Sequence, residues 1–71
     1  MTTEQIDDAL HRQPFVPFTL HIADGRKIHV DHEDFVMRSR SGRAIAVYRE
    51  NDRIETFDVF LITSIEEKRK R

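Results

Sequence analysis

The sequence predicts a mainly β domain of α+β type, in which an N-terminal helix precedes a five-stranded antiparallel small barrel. Three observations lead there. Residues 15–30 alternate apolar and polar side chains on both sides of Asp24-Gly25, the pattern of a hairpin with one buried face. Turn-forming clusters recur at Asp31 to Asp34, Ser39 to Gly42 and Glu50 to Asp52, leaving short apolar segments between them. Ahead of the hairpin, Ile6, Ala9 and Leu10 fall at helical spacing behind Thr2-Thr3-Glu4-Gln5.

The helix is expected over residues 3–12. Thr2 caps it, Gln5 completes a capping box, and Met1 is positioned to staple against Ile6. Its apolar stripe is narrow, with Glu4, Asp7, Asp8 and Arg12 turned to water, so it serves as a lid. Pro14 ends it and Pro17 holds Val16 extended, which delivers the chain into the first strand with Phe15 and Phe18 under the helix.

In the hairpin, Phe18, Leu20 and Ile22 must share a face with Ile28 and Val30, because cross-strand partners point the same way. A two-residue Asp-Gly turn sets Leu20 opposite His29 and mixes the faces. A three-residue loop, Ala23-Asp24-Gly25, pairs Ile22 with Arg26, Leu20 with Ile28 and Phe18 with Val30. The expected turn is therefore type I closed by a bulge, with Gly25 left-handed.

Beyond Val30, Asp31 to Asp34 is too polar to continue a strand and reads as a turn of 3₁₀-helix. Phe35 to Met37 resumes a short strand. Ala44 to Tyr48 is apolar on both faces, the mark of a strand in the middle of something. Arg53 to Phe57 returns along it. Val59 to Ile62 breaks the alternation, so one helical turn is expected before a closing strand over residues 62–66. The chain is read as one domain, residues 1–66, with the barrel over 17–66. Residues 67–71 form a basic flexible tail with nothing to bury.

A chain of 71 residues buries only about 60% of its unfolded surface, which leaves little room for an internal active site. The absence of cysteine removes disulfides, thiolate zinc sites and thiol nucleophiles, and fits a cytoplasmic address. Apolar runs such as Val59 to Ile62 are far too short to cross a bilayer, and no leader is expected at the amino terminus. Of twelve Lys and Arg residues, four form the run Lys68, Arg69, Lys70 and Arg71; the remaining eight stand against thirteen acidic residues, a net charge of −5. That balance argues against a generally basic nucleic-acid-binding surface.

A helix followed by short strands and tight turns, with a helical turn before the last strand, resembles the SH3-like and Sm-like small barrels. Pro14 to Phe18, Asp24 to Arg26, His32 to Val36 and Asp58 to Glu66 also resemble small bacterial proteins of unknown function. Those read Pro-Phe-x-Pro-Phe, Asp-Gly-Arg, an acidic His-containing turn and a closing Asp-aliphatic-Leu-aliphatic-Thr-Ser-Ile-Glu. This second likeness spans nearly the whole chain and implies a fold but no activity. Sm-like proteins hold an RNA base with Asp-x-x-Met-Asn. Here Asp34-Phe35-Val36-Met37-Arg38 has arginine at the asparagine position, the expected glycine falls near His29, and the later Arg-Gly pair is absent near Thr63-Ser64. The resemblance thus implies the architecture without the uridine pocket.

Successive turns of a meander lie at alternate ends of a barrel, so charge is expected to sort by end. One end gathers Arg26, Lys27, Arg38, Arg40 and Arg43 against Asp24; the other gathers Asp31, Glu33, Asp34, Glu50 and Asp52 against Arg49 and Arg53. His21 and His29 lie diagonally on the outer face of the hairpin without a third ligand, and His32 sits in a charged turn with no nucleophile beside it. No catalytic, cofactor or metal site is expected, and no small-molecule substrate. The reading is a non-catalytic interaction module, contacting another protein or itself through strand edges or charged ends. The alternative is RNA binding through Arg38, Arg40, Arg43 and the basic tail.

Overall fold

The computed structural model describes residues 2–67. The staple expected of Met1 and the tail Lys68 to Arg71 lie outside them. The capping box forms: Gln5 donates its N–H to Thr2 Oγ1 at 3.3 Å, and its side chain accepts from the Thr2 N–H at 3.0 Å. Helix α1 then runs Thr3–Leu10 and buries Ile6, Ala9 and Leu10. It stops two residues short of the expectation. Pro14 has no N–H for the Leu10 carbonyl, and His11 already closes the end by donating to Asp7 O at 2.9 Å.

Strands β1 (Phe18–Ile22) and β2 (Lys27–Val30) form the hairpin in the expected register, with Phe18 opposite Val30 and Leu20 opposite Ile28. Ile22 donates to Arg26 O and Gly25 to Ile22 O, both at 2.9 Å, which makes the three-residue loop. Gly25 has φ +97°. The 3₁₀ turn Glu33–Phe35 leads to β3 (Val36–Arg38), and β4 (Ala44–Arg49) pairs with it and with β5 (Arg53–Asp58). A further 3₁₀ turn, Val59–Leu61, begins where Asp58 Oδ1 accepts from the Phe60 N–H, and β6 (Ile62–Glu67) returns to pair with β1. Glu67, expected in the tail, is the last residue of β6, opposite Phe18.

The described residues hold six strands, not the five of the expected barrel, and these form two three-stranded antiparallel sheets, ordered β2-β1-β6 and β3-β4-β5, not a closed barrel. The polar run from Asp31 to Asp34 is the reason: it separates β2 from β3, so the two lie in different sheets. The inner faces pack on each other. Leu20 of central strand β1 and Val47 of central strand β4 are fully buried, joined by Ile28, Val30, Ile45 and Phe57, with Ile6 and Leu10 of α1 in the same cluster.

Two seams remain where sheet meets sheet. At one, α1 and the segment after it reach the two neighbouring edges: Asp7 of α1 pairs with Arg38 of β3 at 3.0 Å, and Arg12, beyond the helix end, pairs with Glu67 of β6. At the other, Arg26 after the hairpin loop reaches Glu55 of β5 at 3.1 Å and lies over the Phe57 ring at 5.0 Å.

Both glycines have positive φ, but they differ in surroundings. A Cβ at Gly25 meets nothing within 4 Å, whereas one at Gly42, φ +77°, meets the Thr3 side chain at 2.6 Å. Thr3 Oγ1 donates to Gly42 O at 2.7 Å, so a larger residue there pushes α1 from its seat. Gly25→Val is expected to lose about 1 kcal/mol or more through backbone strain alone. Gly42→Ala is expected to lose more than Gly25→Ala. Urea unfolding of the three variants checks both statements, and equal loss for the two alanine variants rejects the contact with Thr3 as a constraint.

Candidate functional site

The end of the domain expected to be basic is assembled by the Val59–Leu61 turn. Leu61 O accepts from the Ala23 N–H at 2.8 Å, and the Val59 N–H donates to Arg43 O at 2.7 Å, which holds the Asp24-Gly25 and Ser41-Gly42 turns side by side. The cations there are largely matched within the chain. Arg26 contacts Asp24 at 2.8 Å as well as Glu55, Arg38 contacts Asp7, and Arg43 approaches Asp58 at 4.0 Å with its guanidinium 5.7 Å from the Phe60 ring. Lys27 and Arg40 are exposed and have no ion pair among the described residues.

Asp24 shows what this matching does locally. The Arg26 N–H donates to its Oδ1 at 3.0 Å and the guanidinium to its Oδ2 at 2.8 Å. The backbone bond first, then the side-chain bond and charge of Arg26, hold the Asp24 carboxyl below its ordinary value. Arg38 is a further case. Oδ1 of Asp7 and Oε2 of Glu67 are shielded from water and have no well-directed hydrogen bond; their compensation is ionic contact with Arg38 and Arg12.

The histidines turn to separate partners. His21 Nε2 meets Glu66 at 2.9 Å, whereas His29 meets Asp31 through Nε2 at 2.8 Å and Thr19 through Nδ1 at 3.1 Å. The His32 ring stands edge-on to Phe35 at 5.7 Å. Among the described residues, no group of three or more His, Asp or Glu side chains converges on a metal-sized position. An open groove of about 500 Å³ follows the β2–β5 seam, lined by His29, Asp31, Arg49, Arg53 and Glu55 among others. Glu55, one of its lining residues, accepts from Arg26 at 3.1 Å and from Arg49 at 2.7 Å.

The outer faces of the two sheets are unlike. On β2-β1-β6 the outward positions are Thr19, His21, Lys27, His29, Ser64 and Glu66, polar throughout. On β3-β4-β5 they are Met37, Ala44, Ala46, Tyr48, Ile54, Thr56 and Asp58, and the pairing puts Met37 beside Ala46 and Tyr48 beside Ile54. Met37 is 66% exposed, Ile54 55% and Tyr48 49%, with Phe35 at 45% near the same end. None of these was a candidate on sequence grounds. Their signal was the lack of a polar face from Ala44 to Tyr48: β4 is central between β3 and β5, yet Tyr48 on its outer side is left exposed among the described residues.

Comparison with known proteins returns no matching family model, curated protein or solved structure. Among the described residues, no helix is long and apolar enough to cross a membrane.

Two outcomes follow. Arg38→Ala is expected to lower stability by about 1 kcal/mol, because the shielded Asp7 oxygen loses its partner and the half-exposed site is partly relieved by water; urea unfolding measures it, and no loss rejects the pairing. A carbon-detected NMR titration should find Asp24 ionising below an ordinary aspartate. Since its folded value is the depressed one, its contribution to the hairpin is present above the ordinary value, near 3.8, and is lost as pH falls through the lowered value.

Proposed function

We propose that this protein is a non-catalytic interaction module of the cytoplasm that makes protein–protein contacts. One observation carries the reading: the outer face of β3-β4-β5 presents Met37, Tyr48 and Ile54 to solvent, while the equivalent face of β2-β1-β6 is polar. A contiguous apolar face rimmed by polar residues marks a surface that a partner covers. It replaces the charged ends as the leading surface, since Arg26, Arg38 and Arg43 each have a carboxylate close by within the chain. For the same reason RNA binding through Arg38, Arg40 and Arg43 is the less supported reading: cations already neutralised release fewer counterions from phosphate.

The small bacterial proteins that this chain resembles fit such a module, as does an SH3-like or Sm-like layout.

The test is a photo-reactive amino acid incorporated singly at Ile54 and, as a control, at Ser64 on the polar sheet, with illumination in the host cell. Adducts from Ile54 and none from Ser64 are expected. Equal labelling, or none at either site, rejects the surface. Anisotropy titration with single-stranded RNA at two salt concentrations decides the other reading; tight, salt-sensitive binding lost in an Arg40→Ala/Arg43→Ala variant favours RNA over protein.

A further inference from the structure

We propose that the groove at the β2–β5 seam receives one carboxylate, carried by an extended segment of a partner protein that lies along the free edge of β5. This groove is a surface distinct from the outer β3-β4-β5 face and shares only Phe35 and Tyr48 with it.

Charge selects the carboxylate. Arg49 and Arg53 stand directly opposite each other in the β4–β5 pairing, and both line the groove. Like charges so placed destabilise a sheet unless something neutralises them. Glu55 does only part of this. One of its oxygens accepts from Arg49 at 2.7 Å and the other from Arg26 at 3.1 Å, so both are engaged before Arg53 is reached. Arg53 is exposed and has no ion pair among the described residues. A carboxylate from outside bridges the two guanidiniums, taking one bond from Arg53 and one from the donors that Arg49 does not spend on Glu55.

The same groove turns away a run of negative charge. Asp31, held by His29 at 2.8 Å, and Glu50, exposed and unpaired among the described residues, also line it. Each repels a second anion beside the first. A nucleic-acid backbone, charged at every phosphate, therefore fits worse than a peptide with one acidic residue between neutral ones. Phe35 and Tyr48, both exposed, offer those neutral neighbours apolar surface.

Backbone geometry selects the extended form. β2 and β5 are each the edge of a sheet, and they flank the groove without pairing to each other. Edges of this kind accept a further strand through their outward N–H and C=O groups. Arg26 closes the seam at Glu55 and Phe57, so the segment lies against Arg53 to Glu55, about three residues or ~10 Å of strand. The engagement is short, and the contact is correspondingly weak and reversible.

The test is fluorescence anisotropy of the full chain with a labelled peptide, Gly-Val-Thr-Glu-Val-Thr-Gly. Saturable binding below millimolar concentration is expected. Replacing the peptide's glutamate by glutamine should weaken it about tenfold, the loss of one charge-assisted contact. Arg53→Ala should cost as much, with unchanged circular dichroism, whereas Arg40→Ala, at an exposed arginine outside the groove, should cost nothing. The two losses should not add when Arg53→Ala meets the glutamine peptide, as direct contact requires. Of two peptides N-methylated on alternate amides, one should lose binding and the other keep it. Equal affinity for the two peptides, or indifference to Arg53→Ala, overturns the carboxylate site. Full binding by both methylated peptides overturns pairing with the edge, and no binding up to millimolar overturns the groove as a site. A short single-stranded RNA that binds more tightly than the peptide, and loses its affinity in Arg53→Ala, overturns the choice of a peptide. Adducts at Ile54 report on the outer face alone, so the two surfaces stand or fall separately.

Discussion

The fold depends on the contact between two central strands, β1 and β4, whose inward residues leave no water between the sheets. Leu20 and Val47 are fully buried, and their neighbours Ile28, Val30, Ile45 and Phe57 complete the layer. Each sheet has one face to give to this contact. Three strands a side is close to the least that buries an independent core, so α1 adds Ile6, Ala9 and Leu10. The interior is filled by side chains, and what this chain does must be done on its outside.

Once the inner faces are committed, the outer faces are free to differ, and they do. The polar face knits itself together through the contacts of His21 with Glu66 and of Thr19, His29 and Asp31 with one another. The apolar face has no such internal closure. Charged groups at the opposite end from Glu50 and Asp52 are drawn mostly into contacts with the chain's own carboxylates.

The hairpin register was legible because two constraints, one apolar face and one Asp-Gly loop, admit a single pairing. The cap was legible because Thr2 and Gln5 stand at the required spacing. Closure was not: whether strand edges meet depends on distant pairs such as Asp7 with Arg38 and Arg26 with Glu55, and nothing local specifies them. The same distance hid the carboxylates beside Arg38 and Arg43, which read as part of a cluster in a linear list. Met37, Tyr48 and Ile54 escaped notice because an apolar residue in a strand is ordinarily assigned to the interior. Only the two-sided character of Ala44 to Tyr48 hinted otherwise, and it suggested a central strand without saying that one of its faces is open to solvent.

The two seams are shut by different means, and this gives the domain a direction in which to breathe. Along one, a helix with three buried side chains acts as a hinge plate, tied to β3 and β6. Along the other, a single carboxylate, Glu55, is gripped by Arg26 and Arg49 beside an open groove. Partly exposed ionic grips let go before packed hydrocarbon does. Thermal opening therefore gapes at the β2–β5 lip first, like a shell parting opposite its hinge, and the β3-β4-β5 sheet moves as one leaf.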